Sequence, residues 1–204
     1  MNRIISGFFS LALIMAPSFG QARQLPPRSR CTLTEASSPA IRGLRLGMSI
    51  EQALALFPGS SKRWEMRDAI ERARSHSGGE TVYLAFDPSA DARGESFSGV
   101  DSVSVGIYKG RVVDFSVLYL DPAWKNIDEW VAKLAGTLGL PRPADWAAGP
   151  DENPNRILKC NGVDIQASVQ GSGGSIRVRN TEYMKEMEGR TYSGEEKRRR
   201  EFKP

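Results

Sequence analysis

Residues 99–122, GVDSVSVGIYKGRVVDFSVLYLDP, limit more than any other stretch what this chain can become. Val103, Val105 and Ile107 alternate with Ser102, Ser104 and Gly106, and Val113, Phe115, Val117 and Tyr119 alternate with Asp114 and Ser116. A period of two on both sides of a glycine-containing turn predicts a β-hairpin with one buried face. The turn decides the register. A two-residue turn at Lys109-Gly110 sets Val105 opposite Asp114 and places a carboxylate among valines. A three-residue loop, Tyr108-Lys109-Gly110, instead sets Val105 opposite Val113 and Val103 opposite Phe115. The longer loop, with Gly110 left-handed, is the expectation. Leu118 and Leu120 on the opposite face predict that the end of the second arm is covered on both sides.

Around this hairpin the periodicity switches between helix and strand. Residues 41–46 read as a short strand. Ile50, Ala53, Leu54 and Phe57 then fall on one helical face, with Ser49 as cap, Gln52 completing a capping box, Met48 stapling onto Ala53, and Pro58-Gly59 as the stop. Residues 62–75 predict a more charged helix with Met66, Ala69, Ile70 and Ala73 inward. Residues 81–87 read as a strand with Val82, Leu84 and Phe86 inward, and 88–98 as a polar loop. Asn126 caps the clearest helix, Glu129 completes its box, and Ile127, Trp130, Val131, Leu134 and Leu138 form its stripe before Gly139 and Pro141. Residues 145–154 form a loop carrying Trp146. A second hairpin follows, with arms 156–160 and 163–169 around Asn161-Gly162, which sets Cys160 opposite Val163 and Leu158 opposite Ile165. Residues 171–174 read as a flexible link to a last strand, 175–180, with Ile176 and Val178 inward.

The fold class that results is α+β, with helices packed on one face of an antiparallel sheet. Ile50, Ala53, Leu54 and Phe57 match Ile127, Trp130, Val131 and Leu134 at a constant offset of 77 residues. That match allows a division of the 41–180 domain into two tandem helix-plus-sheet units, 41–122 and 123–180.

With 204 residues, 40% hydrophobic and 25% charged, the chain can build one ordinary globular domain or two small ones. Its N-terminus reads differently. Asn2-Arg3, an apolar run over 4–17 and Gly20-Gln21-Ala22 predict a signal peptide over 1–22 cleaved after Ala22. The run is too short for a membrane span, which needs about 18 apolar residues, and Ser6, Gly7 and Ser10 interrupt it. No cysteine directly follows it to carry a lipid, so an exported protein, periplasmic or secreted, is expected. Residues 23–40 form a proline- and serine-containing arm with Cys31 as its tether, and two cysteines in an exported chain predict a Cys31–Cys160 disulfide. The mature chain carries 27 basic and 24 acidic residues, a net charge of +3, too mild and too scattered for a nucleic-acid binder. Neither cysteine lies in a CxxC pair and His76 is the only histidine, so no metal site, catalytic thiol or cofactor is expected. The glycines at 171, 173 and 174 join strands and open no helix, so they form no phosphate loop. The tail, 181–204, has Tyr183, Met184, Met187 and Phe202 as its main apolar residues and reads as a solvated helix or a disordered end.

Residues 42–59, RGLRLGMSIEQALALFPG, resemble the opening of two groups of small exported bacterial domains. One is the SmpA/OmlA outer-membrane assembly lipoproteins, whose members start with a Gly-Met-Ser/Thr turn into a helix, here Gly47-Met48-Ser49. The other is the β-lactamase-inhibitor-protein type, a helix pair on an antiparallel sheet, often in tandem. The resemblance implies a non-enzymatic envelope protein that works by contact with other proteins. The chain departs from the lipoproteins in lacking the anchoring cysteine and from a single unit in its length.

For such a contact module the candidate residues are Trp124, after Asp121-Pro122, and Trp146, since tryptophan is enriched at hot spots. The competing reading makes both lids over the edge of the core. The basic run Lys197, Arg198, Arg199 and Arg200 offers a contact for a partner or for acidic lipid, or is a solvated end. The expected partner is another envelope or secreted protein. The alternative is a hydrolase of envelope carbohydrate that uses two carboxylates among Asp87, Asp101, Asp114 and Asp121. Each of these also reads as a turn residue or the polar half of a strand, and His76 reads as a helix-end residue.

Overall fold

The two hairpins become parts of one continuous sheet, one on either side of its central strand. In the structure, a computed structural model, described residues are 31–75, 79–92, 94–120, 122–150, 154–171 and 173–202, with the side chains of 94, 95, 188, 191–198 and 201 excepted. The expected signal peptide and its cleavage point, together with His76 and Asp121, lie outside them. The strands are β1 (Val82–Phe86), β2 (Val100–Tyr108), β3 (Arg111–Tyr119), β4 (Ala147–Ala148), β5 (Asn155–Lys159), β6 (Val163–Gln170) and β7 (Gly173–Asn180). They form a seven-stranded antiparallel sheet in the order β1-β2-β3-β7-β6-β5-β4. The helices are α1 (Ile50–Leu56), α2 (Trp64–Ser75), α3 (Pro88–Asp91), α4 (Ile127–Leu138) and α5 (Thr181–Glu201).

One face of the sheet carries the main core. Leu84, Val105, Phe115, Val117, Ile176, Val178, Ile165 and Leu158 are buried there against Ile50, Ala53, Ile70, Trp130 and Val131 of the helices. Each such aliphatic or aromatic side chain contributes about 1.5–3 kcal/mol on leaving water. The α+β class and the helix-covered face are as the sequence reads. The helix α5 departs from that plan: it lies on the opposite face, where Tyr183, Met184 and Met187 cover Tyr108 and Val113. The tail is therefore helical, with its first turns packed and Phe202 at its end exposed.

The β2–β3 register corrects the expected loop. The turn has two residues, Lys109 and Gly110, both left-handed at φ 48° and 72°, which is the backbone that the twist of a tight hairpin prefers. Tyr108 pairs with Arg111, and a bulge then makes Val113 the extra residue, so that Asp114 stands opposite Gly106, Val105 opposite Phe115 and Val103 opposite Val117. The bulge removes the carboxylate from among the valines without lengthening the turn. Leu118 is half-buried and Leu120 exposed, so the second cover sits over the hairpin tip rather than over the end of β3.

The local signals hold better. Ser49 and Gln52 form the reciprocal capping box of α1, and Met48 packs against the core. Asn126 caps α4 by accepting from the Glu129 N–H at 2.9 Å, while the Glu129 carboxylate accepts from Lys125 N–H rather than from Asn126. Gly139 ends α4 in the left-handed conformation, φ 65°. The inner faces of α2 and β1 and the Leu158–Ile165 register are as read. Three irregular stretches are more ordered than expected. The 88–98 loop contains α3, capped by Asp87, and a short 3-10 turn; the 145–154 loop contains β4; and Gly173 and Gly174 are buried strand residues rather than a link.

Cys31 and Cys160 form the expected disulfide, closing a sequence separation of 129 residues. Leu33 packs against the core beside it, and the Glu35 carboxylate accepts from the Asn180 side chain, so this part of the arm is docked on the strand ends. Among the described residues no helix is long and apolar enough to cross a membrane.

Candidate functional site

Tyr119 closes β3 directly opposite Gly174 of β7. Nothing but a glycine fits at 174, because a Cβ there would lie 2.9 Å from the Trp130 ring and 3.0 Å from that of Trp124. The missing side chain lets both indoles lie over the sheet. Trp130, on α4, donates its N–H to Ser175 O at 2.8 Å, and its ring meets Tyr119 edge-on at 5.6 Å and Trp124 at 4.8 Å between centroids. These rings line a groove of about 610 Å³ together with Lys133 and Leu138 of α4 and with Arg42. That volume is of the size that binds small molecules or single anchor side chains.

Arg42 reaches the groove from a tight turn. Ile41 and Leu44 exchange two backbone hydrogen bonds, at 2.9 and 3.0 Å, around Arg42 and Gly43, whose φ values are 53° and 90°. The expected strand over 41–46 is thus a hairpin turn with Ile41, Leu44 and Leu46 buried beneath it. A non-glycine residue held left-handed costs roughly 1–2 kcal/mol. Its guanidinium donates to Ser98 O at 3.0 Å, which holds the charge at the groove's rim. Burial pushes the Tyr119 phenol up, and the neighbouring Arg42 pulls it part of the way back. Lys133 is exposed on α4, and no ion pair holds Arg42 or Lys133 among the described residues.

Of the two tryptophans singled out in the sequence, Trp124 is half-buried and lines this groove, whereas Trp146 is 4% exposed. The Trp146 N–H donates to Pro141 O at 3.2 Å, so this side chain is a lid over the core. Arg199 and Arg200 are exposed in the last turn of α5; Lys197 and Arg198 belong to the same helix, their side chains outside those described.

Asp87 caps α3 through the N–H and hydroxyl of Ser89, and Asp101 is exposed at a second register shift of β2. Asp114 is buried on the α5 side of the sheet, where both Arg177 Nε, at 2.9 Å, and Arg177 Nη2 donate to it and the Tyr83 hydroxyl donates at 3.3 Å. The hydrogen bonds to Asp114 hold the Arg177 guanidinium further in its charged form, and burial pushes the Tyr83 phenol up. Among the described residues no group of three or more His, Cys, Asp or Glu side chains is placed to hold a metal ion.

Sequence reasoning did not find Arg42, Tyr119, Lys133 or Gly174. The signal for Arg42 was present in Ile41-Arg42-Gly43-Leu44, where two apolar residues flank a glycine-containing pair with the spacing of a two-residue hairpin. No protein family, no curated protein and no solved structure matches this chain.

Proposed function

We propose that this chain is an exported, non-enzymatic contact module that binds another envelope or secreted protein, with the groove beside Trp124 as its contact point. The observation that carries this reading is the groove itself: an aromatic wall of Trp124, Trp130 and Tyr119 with two cations at its rim and no acidic residue among its described lining. Aromatic anchors in a pocket beside a polar rim are the anatomy of an interaction hot spot. The signal-like N-terminus, the disulfide and the resemblance of residues 42–59 to exported contact proteins support the same address. The hydrolase alternative has its most buried candidate, Asp114, engaged by Arg177.

A block placed in the groove tests the reading. Thr137 is an exposed lining residue of α4, so Thr137→Arg fills the opening while stability stays within about 0.5 kcal/mol. In affinity capture from solubilised envelope with residues 23–204 as bait, a partner held by wild type is expected to be lost with Thr137→Arg, at an unchanged melting temperature. A partner retained by the blocked variant removes the groove from the contact. Release of sugar ends from envelope carbohydrate by the wild type, abolished by Asp114→Asn in a folded protein, would favour the hydrolase instead.

A further inference from the structure

The groove's charge specifies its ligand more narrowly than its aromatic wall does. Arg42 occupies a turn position that glycine, asparagine or aspartate fills at least cost, and the strained backbone aims a guanidinium along the rim, where Ser98 O steadies it. A guanidinium has five N–H donors in a fixed fork suited to a carboxylate, and one bond to a carbonyl leaves most of them available. Lys133 adds a second positive charge from the α4 side. The chain as a whole is only mildly basic, with 28 basic against 24 acidic residues, so two cations with no acidic residue among the described lining are a local feature. Arg42, Ser98, Gly99, Pro122, Lys133 and Thr137 are all exposed along the rim. The site is therefore a groove across which an extended chain can lie, not a closed tunnel for an alkyl chain.

Resting on the contact reading above, we propose that the groove recognises an acidic peptide segment of its protein partner: a bulky apolar side chain seated against Trp124, Trp130 and Tyr119, with flanking carboxylates held by Arg42 and Lys133. Apolar burial supplies most of the attraction, and the charges supply selectivity and a faster encounter.

The two indoles are the reporters. With indole-labelled protein, NMR titration uses blocked pentapeptides with phenylalanine between two glutamates, or between two glutamines. The glutamate peptide is expected to move the Trp124 and Trp130 signals and to bind about ten-fold more tightly, a preference of the size two exposed ion pairs supply. The double variant Arg42→Gly with Lys133→Gln is expected to bind both peptides alike; glycine adopts the left-handed turn without strain, so the fold is kept. Equal affinity of wild type for the two peptides, or a preference that survives the double variant, overturns the charge recognition and leaves the contact reading standing. Sodium laurate displacing the glutamate peptide at lower concentration overturns the peptide class. Should neither peptide move the indoles while Thr137→Arg still abolishes capture, this inference falls alone; should capture also survive that block, both fall.

Discussion

Tyr183 shows how one residue on the sheet's outer side ties ionisation to packing. Its ring lies 4.8 Å from that of Tyr108, and the phenol is pushed up to about 12, first by burial and then by the negative charge that would gather near Tyr83, Tyr108, Asp114 and Glu186. A phenol whose folded value lies above its unfolded value of about 10 contributes its full share of stability below pH 10 and loses it as the pH rises through 12. Across that window unfolding in urea is expected to become easier by about 2 kcal/mol, and Tyr183→Phe to flatten the decline. A variant with the same alkaline slope as wild type places the titration on another group. At this scale the sequence was only partly readable. Trp124 stood out because tryptophan is enriched at hot spots, whereas Gly174 could not, since what it makes room for are rings from residues 124 and 130.

The elements were legible wherever their causes are local. The Ser49 and Asn126 caps, the left-handed Gly139 and the Asn161-Gly162 turn each act within a few residues, and each is found. The β2–β3 register failed because two devices reconcile the same alternation, a longer loop or a bulge, and choosing between them requires the partner strand. The helix α5 was missed as a packed element for a related reason. Tyr183, Met184 and Met187 make a short apolar patch that counts for little until Tyr108 and Val113 are seen on the sheet beneath it. Glu186 then accepts from the Tyr108 hydroxyl at 2.9 Å, and Arg190 donates to Gly79 O at 3.0 Å, so the docking extends through the third turn. A chain ending after Arg190 is therefore expected to melt within about 2 °C of the full protein, whereas one ending at Asn180 exposes the patch and loses about 2–4 kcal/mol. Equal melting of all three would show that the helix contributes nothing to the fold.

For the whole molecule, the sheet order places two three-stranded meanders, β1-β2-β3 and β5-β6-β7, side by side through β3 and β7, the first after α1 and α2 and the second after α4. The sheet runs on without a break through the β3–β7 pairing, which makes one core of both halves. The disulfide fastens that core across nearly its whole length. In the chain-entropy model a loop of 129 residues is worth about 5 kcal/mol, so replacing both cysteines by serine is expected to lower the melting temperature by about 10–20 °C while leaving the peptide preference of the groove unchanged. An unchanged melting temperature would mean that the unfolded chain is already confined without the bond. The same bond also sets a load path. Tension applied at the two ends of the chain enters at Cys31, crosses directly to Cys160 and leaves through β6, β7 and α5. Arg42, Tyr119, Trp124, Trp130 and Lys133 all lie within the bypassed loop, so a pull that pays out chain from β6, β7 and α5 puts no covalent load on the segments that carry these five side chains.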